Sequence, residues 1–417
     1  MTAHKYNNTN DLSKSYFASI TKALAEAGAY QPTLVIDKTR LDHNLSAVKV
    51  ITQRGFDFRI VAKSLPSVPM LQYLMQESGS NRLMSFHIPF LQLVSQQLPY
   101  ADVLMGKPMP VSCVENYYTF MRNQPQCQFD PDTQLQWLVD SEERVKQYAK
   151  LADKLNTVLQ INLEINVGLQ RGGFSDHAEF ISVLKIIEAH DKLRLSGLMG
   201  YEAHITKIPG FLGGPNKAFT HTTKIYQGFC DAVSAQFGEA FLKTLTLNTG
   251  GSTTYPLYEK PGLVNEIATA SALVKPTDFD VFTLDHHLPA AFIATPVLKV
   301  VDQLEVPMAK GLSKLLRKFG VLAPKACFIY GGNWLAQPCY PAGTKRSNIL
   351  GHSSNQEMYE LKASDDIGVD DFMYFRPSQS EAVFLQFGDI AVYEDGKIVD
   401  WWPTFKHSSE SKLSSRT

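Results

Sequence analysis

Apolar positions along this chain follow two alternating rhythms. Eight short, mostly apolar runs occupy residues 58–63, 83–86, 101–106, 136–140, 159–166, 193–202, 244–250 and 266–274. Between them lie segments such as Val68 to Ser78, Ser141 to Leu155, Asp176 to His190 and Lys217 to Phe237, where apolar residues return every three or four positions with charges interposed. That spacing gathers them on one helix face. Strands alternating with helices predict parallel pairing through right-handed crossovers, and eight such units close a TIM (β/α)8 barrel. An open doubly wound sheet is the rival, but it usually takes fewer repeats, and no GxGxxG follows an early strand.

After residue 290 the texture changes. Phe292 to Val301 and Lys325 to Tyr330 read as strands, and Ile390 to Trp402 alternates about Glu394-Asp395-Gly396, a hairpin turn signal. The expected organisation is a helical extension over 1–29 (periodic only from Tyr16 to Ala27), a barrel over 30–290 and a C-terminal β domain over 291–417. Thr33 to Asp37, followed by the helix-like Lys38 to Thr52, is expected to join or bridge to that β domain. Residues 303–324 and 340–370 show neither rhythm and are expected to be mobile or interface loops.

At 417 residues the chain exceeds a single barrel of about 250, which agrees with a second domain. Its 40 basic and 41 acidic residues give a formal net charge of -1 with no long run of either sign, so nothing suggests a nucleic-acid or membrane-surface partner. Met1 to Ser15 is polar without an apolar core, and no stretch offers about 18 uninterrupted apolar residues; a cytoplasmic protein is expected. Five cysteines without a CxxC pair indicate reduced thiols rather than a disulfide framework or a zinc knuckle.

Barrel active sites sit at the C-terminal ends of the strands, so the residues closing each run carry the candidate chemistry. Lys63 closes the first, Asn166 to Arg171 follow the fifth, Tyr201 to His204 close the sixth, and Thr249-Gly250-Gly251-Ser252-Thr253 follow the seventh. Successive small residues at a strand-to-helix turn expose backbone N–H groups that can hold a phosphate dianion. An ordinary glycine turn with a hydroxyl cap has the same composition. A lysine at a partly desolvated strand end has its ammonium form disfavoured, which suits imine formation with an aldehyde; it also suits snorkelling to solvent or pairing with a carboxylate. Together, lysine and glycine turn point to a phosphorylated aldehyde, pyridoxal 5'-phosphate.

Four stretches resemble the fold-type III pyridoxal-phosphate enzymes of the D-threonine aldolase and D-serine dehydratase family, relatives of alanine racemase. They are Thr33-Leu34-Val35-Ile36-Asp37 with Asn44, Arg59 to Ser64, Gly197-Leu198-Met199-Gly200-Tyr201-Glu202-Ala203-His204 (the most specific), and Thr249 to Thr253; a fifth, Asp395 to Pro403, resembles the family's closing hairpin. The resemblance implies that Lys63 is the Schiff-base lysine and moves the Cα proton. It implies that Arg171 donates to the cofactor's ring hydroxyl oxygen, that Tyr201 bonds to its pyridine nitrogen, and that Gly250, Gly251 and Ser252, with Thr249, form the phosphate loop. A surface ion pair for Arg171, a core phenol for Tyr201 and a structural role for His204 stay open. A homodimer is likewise implied.

One departure bears on the reaction. Where the family's lyases carry a Pro-Asn-His-x-(Cys/Asp) metal motif, this chain reads Pro377-Ser378-Gln379-Ser380-Glu381. An amide replaces an imidazole, so zinc held through His and Cys is excluded, whereas a hard ion on Glu381 or no metal at all both remain. Asn355-Gln356-Glu357-Met358 likewise lacks the histidine of the family's Glu-Glu-His run, and the Gly331-Gly332-Asn333-Trp334 loop has no assignable role. The expectation is a lyase acting on a small D-amino acid. The alternatives are an amino-acid racemase, whose second base the sequence does not name among Tyr330, Tyr340 and Tyr359, and a non-catalytic cofactor-binding protein.

Overall fold

The computed structural model describes residues 12–305, 310–319, 322–348 and 351–405. In chain order the strands are β1 (Thr33–Asp37), β2 (Asp57–Val61), β3 (Arg82–Ser85), β4 (Asp102–Met105), β5 (Leu135–Val139), β6 (Leu159–Ile165), β7 (Leu193–Gly200), β8 (Thr246–Thr249) and β9 (Glu266–Thr269). They continue with β10 (Ala291–Val301), β11 (Lys325–Ile329), β12 (Ala336–Tyr340), β13 (Lys345–Arg346), β14 (Met358–Leu361), β15 (Phe372–Pro377), β16 (Ile390–Glu394) and β17 (Lys397–Trp402). By internal contacts the described residues form two units, one of residues 46–272, 281–284 and 405, the other of residues 12–45, 273–280 and 285–404.

In the first unit β2 to β9 pair in sequence order, all parallel, and β9 closes on β2, so the eight runs are the eight barrel strands. Local chemistry fixes the helices between them. Ser67 caps Val68–Ser78 by accepting from Met70 N–H, and Gly79, at φ 71°, ends it. Ser141 and Asn156 bracket Glu142–Leu155, and Asp176 caps His177–Glu188. Inside the barrel two layers alternate with the strand period. Val61, Met84, Leu104, Leu138, Met199 and Ala268 form an apolar layer. One step toward the strand N-termini, Arg59 pairs with Glu266 (2.6 Å) and Asp102 (2.8 Å). Asn162 donates to Gln136 and Asn248 to Glu266, so this second layer is polar and hydrogen-bonded.

The other unit is built on a nine-stranded mixed sheet. Here β1 pairs parallel with β16 and antiparallel with β10, whose eleven residues serve three neighbours: the first half lies between β1 and β15, and the second half, past a register shift at Val297/Lys299, pairs with β11. The helix Lys14–Glu26 lays Phe17, Ile20 and Leu24 on this sheet against Val35, Phe292, Tyr374 and Ala391. The β16–β17 hairpin turns at Asp395 (φ 46°) and Gly396 (φ 85°), both in the left-handed region that its two-residue loop requires.

The stretches 303–324 and 340–370 are not irregular throughout: they contain a helix, Lys310–Lys318, and strands β13 and β14. Leu304, Leu322 and Met358 bury one another there, and strands of two and four residues are too short to print a period on the sequence. Residues 1–11 of the expected helical extension, 306–309, 320–321 and 349–350 of those stretches, and 406–417 of the expected β domain lie outside the described residues. No described helix is long and apolar enough to cross a membrane.

Candidate active site

The side chains singled out at the strand ends all belong to the barrel unit. Lys63 lies in the single 3-10 turn Ala62–Ser64 that follows β2, and its Nζ sits 4.3 Å from the centroid of the Phe86 ring, just past β3. Phe86 itself packs on the apolar layer. Gly106, past β4, leaves it room, since a Cβ there would overlap the Phe86 ring. A π face at this distance can attract a cationic amine.

Across the mouth, Arg171 lies with its guanidinium carbon 4.7 Å from the Tyr201 ring centroid. The loop that presents Arg171 is shaped by Asn166, whose Oδ1 accepts from both Gly168 and Gln170 N–H. Tyr201 in turn rests on the glycine turn: a Cβ on Gly251 would come 2.8 Å from its Cε2. Arg171, Tyr201 and Gly251 are thus one contiguous group. Lys63 is tied to that turn through its neighbour, because Ser271 Oγ donates to Ser64 Oγ (3.1 Å), while the N–H groups of Ala270 and Ala272, on either side of Ser271, donate to Ser252 Oγ.

Within the turn the groups divide by direction. Thr249 Oγ1 and Gly250 N–H both donate to Glu202 (3.0 and 3.2 Å), and the Ser252 hydroxyl is engaged with Thr269 Oγ1 at 2.9 Å. Gly250 adopts φ 88°, open to glycine at little cost. The next three N–H groups, of Gly251, Ser252 and Thr253, find no acceptor among the described residues, whereas Thr254 and Tyr255 N–H return to Gly251 O. Three adjacent unpaired N–H groups form a concavity suited to an anion. The unpaired N–H groups are therefore those of residues 251–253, whereas Thr249 Oγ1 and Gly250 N–H are taken up by Glu202.

Three further side chains belong to the site and carried no role in the sequence reading. Phe86 lay unmarked inside an apolar run. Glu202 is fully buried; burial raises its carboxyl pKa, and hydrogen bonds from Thr254, Thr249 and Gly250 offset part of that. Glu164, at the end of β6, is 8% exposed and is likewise pushed up by burial, with nearby Arg171 pulling it down. A lone acid inside an apolar run is the signal that would have found both. His204 packs on Gly168 with its Nδ1 buried and without a hydrogen bond; burial, then His221, lowers its pKa.

The residues weighed as metal ligands lie in the other unit. Gln379 Nε2 donates to Asp278 at 2.9 Å, and no three His, Cys, Asp or Glu side chains converge among the described residues. Glu357 is fully buried, accepts from Asn333 N–H (2.7 Å) and the Tyr359 hydroxyl (2.8 Å), and forms an ion pair with Arg346 (3.1 Å), so it anchors the 331–334 loop at Asn333.

The family model described as alanine racemase, N-terminal domain, matches residues 36–267. Among solved structures, D-threonine aldolase from Filomicrobium marinum superposes with a TM-score of 0.70 at 14% identity, covering 89% of this chain and 94% of that one. D-threo-3-hydroxyaspartate dehydratase from Delftia sp. HT23 gives 0.65 at 15% identity over 89% and 97%. Alanine racemase from Clostridium difficile 630 gives 0.64 at 12% identity over 90% and 98%. No curated protein sequence matches significantly.

Proposed function

Because the chain belongs to the alanine racemase N-terminal domain family, we propose that it is a pyridoxal 5'-phosphate-dependent enzyme acting on a small D-amino acid, a lyase of the D-threonine aldolase or D-serine dehydratase type. The observation carrying this reading is the run of unpaired N–H groups at Gly251, Ser252 and Thr253, set beside Tyr201 and linked through Ser252, Ser271 and Ser64 to the lysine turn. The residues fit the cofactor: these N–H groups would take its phosphate, Lys63 its aldehyde carbon, and the stacked pair Arg171–Tyr201 its ring. When bound, such a cofactor draws electron density from the substrate Cα and eases cleavage of a bond there.

The chain's own groups do the rest. Lys63 Nζ takes or returns the proton at Cα, with the Phe86 ring 4.3 Å away as its apolar neighbour. Arg171 lends a fixed positive charge and planar donors. The buried Glu164 beside Arg171 restrains that arginine electrostatically. A cytoplasmic homodimer is part of the same proposal. A racemase is the second reading, favoured by Gln379 standing where the lyases present a metal-binding histidine.

The test is an absorption spectrum of the protein with added pyridoxal 5'-phosphate, before and after borohydride, with peptide mapping of the reduced adduct. A near-visible band lost on reduction, with the adduct on Lys63, is expected; a band that survives Lys63→Ala refutes the assignment. Glycine with an aldehyde, or pyruvate with ammonia, from a β-hydroxy-D-amino acid marks the lyase. Loss of optical rotation without those products marks the racemase.

A further inference from the structure

The end of β7 grips the glycine turn from two sides. Successive side chains of an extended segment point oppositely, and here Tyr201 lies against Gly251 while the next residue, Glu202, reaches Gly250 N–H, Thr249 Oγ1 and Thr254 Oγ1 at 3.2, 3.0 and 2.6 Å. The last of these has the length of a charge-assisted O–H···O contact. Tyr258 is drawn in too, its hydroxyl 3.0 Å from Thr249 Oγ1. Glu202 has no exposed surface, so each of these donors meets the carboxylate rather than water. Apolar packing alone would need none of them, and a buried carboxyl is costly unless its hydrogen bonds are made.

The consequence falls on the neighbouring backbone. With Gly250 N–H turned to Glu202 and Thr254 N–H returned to Gly251 O, the turn is fixed on both flanks of Gly251-Ser252-Thr253, the three residues whose N–H groups lack an acceptor. Backbone donors bind an anion well only when they are held in place before it arrives. We infer that Glu202 is a positioning residue for the phosphate-binding turn: its carboxylate touches no ligand, and it sets affinity for the phosphate of the cofactor through the backbone it holds. This inference rests on the pyridoxal-phosphate reading above.

The test compares two aldehydes, pyridoxal 5'-phosphate and pyridoxal, which present the same ring and carbonyl to Lys63 but differ in the phosphate. Affinities are read by titrating the near-visible band and by borohydride trapping, with no turnover required. In Glu202→Ala the affinity for pyridoxal 5'-phosphate falls by about ten- to a hundredfold while that for pyridoxal is unchanged. Glu202→Gln, which keeps the shape and one acceptor oxygen, recovers much of the loss. If Glu202→Ala does not fold, Thr254→Val, removing one donor at similar volume, carries the same comparison with a smaller selective loss. Equal losses for both aldehydes, or no loss for either, overturn the positioning role while leaving the cofactor reading intact. An unsubstituted protein that takes up neither aldehyde overturns both.

Discussion

Arg59 is the most demanding side chain in the barrel, and replacing it by methionine tests how the polar layer is held. Its guanidinium has no exposure. It donates to Glu266 through Nε (2.6 Å) and Nη2 (2.8 Å), to Asp102 Oδ1 (2.8 Å), and to the carbonyls of Leu83 (2.8 Å) and Asp102 (3.0 Å). Burial disfavours its charge, but Glu266 and Asp102 more than compensate, so it stays protonated. Breaking a buried pair by removing one partner costs about 3–5 kcal/mol, because the other charge is left stranded. Two features lower the figure here. Asp102 is 31% exposed and can rehydrate, and Glu266, though fully buried, keeps Arg82 Nη1 at 3.0 Å and Asn248 Nδ2 at 2.8 Å. The expected loss is therefore about 3 kcal/mol, which corresponds to a urea midpoint lower by about 1 M for a unit of this size. Trp137 is buried in β5, while the other three tryptophans, Trp334, Trp401 and Trp402, lie in the other unit. Their replacement by phenylalanine leaves Trp137 fluorescence as a reporter of the barrel alone. Adding Glu266→Gln to Arg59→Met removes the buried charge that has lost one of its two arginines, at the cost of its pairing with Arg82, and should recover part of the loss. A single variant within about 1 kcal/mol of the parent, or a double variant less stable than the single, would show that the ion pair is not what holds this layer.

Other outcomes follow from the site. Gly251→Ala places a Cβ 2.8 Å from Tyr201 Cε2 without any backbone penalty, so the ring must move; titration should show affinity for pyridoxal 5'-phosphate lower by about tenfold, an effect of about 1–3 kcal/mol from overpacking. Glu164 has its pKa raised above 4.5, so the folded protein holds that proton more tightly than the unfolded chain does, and the group's contribution to stability declines as pH rises from 4.5 through the raised value. Glu164→Gln should thus gain stability relative to the parent between pH 4 and pH 7, checked by denaturation at both pH values; a gap that stays constant contradicts the raised pKa. Phe86→Leu removes the π face under Lys63 Nζ and should move the pH dependence of borohydride trapping at that lysine, whereas an unchanged profile would mean the ring only fills space.

Much of this protein can be read from one dimension because strand and helix periods are local properties. The eight apolar runs are β2 to β9, and the serine and aspartate caps begin the helices between them where the hydrophobic period does. The lysine closing the first run and the glycine turn closing the seventh announce themselves because both sit at chain positions where strand gives way to loop. What the sequence could not supply is partnership across long separations. Arg59 looks like one charge in an apolar run until β9 closes on β2 and brings Glu266, 207 residues away, to 2.6 Å. Gly250 carries an N–H whose partner the sequence does not name, and Glu202, 48 residues earlier, accepts it. β1, five buried residues directly before the barrel, is legible as a strand that joins the C-terminal sheet, but its place there, antiparallel to β10 and parallel to β16, is set by the fold alone. Burial turns each lone charge into a demand for a specific partner, and which partner answers is decided by barrel closure and sheet order, quantities that no window of sequence contains.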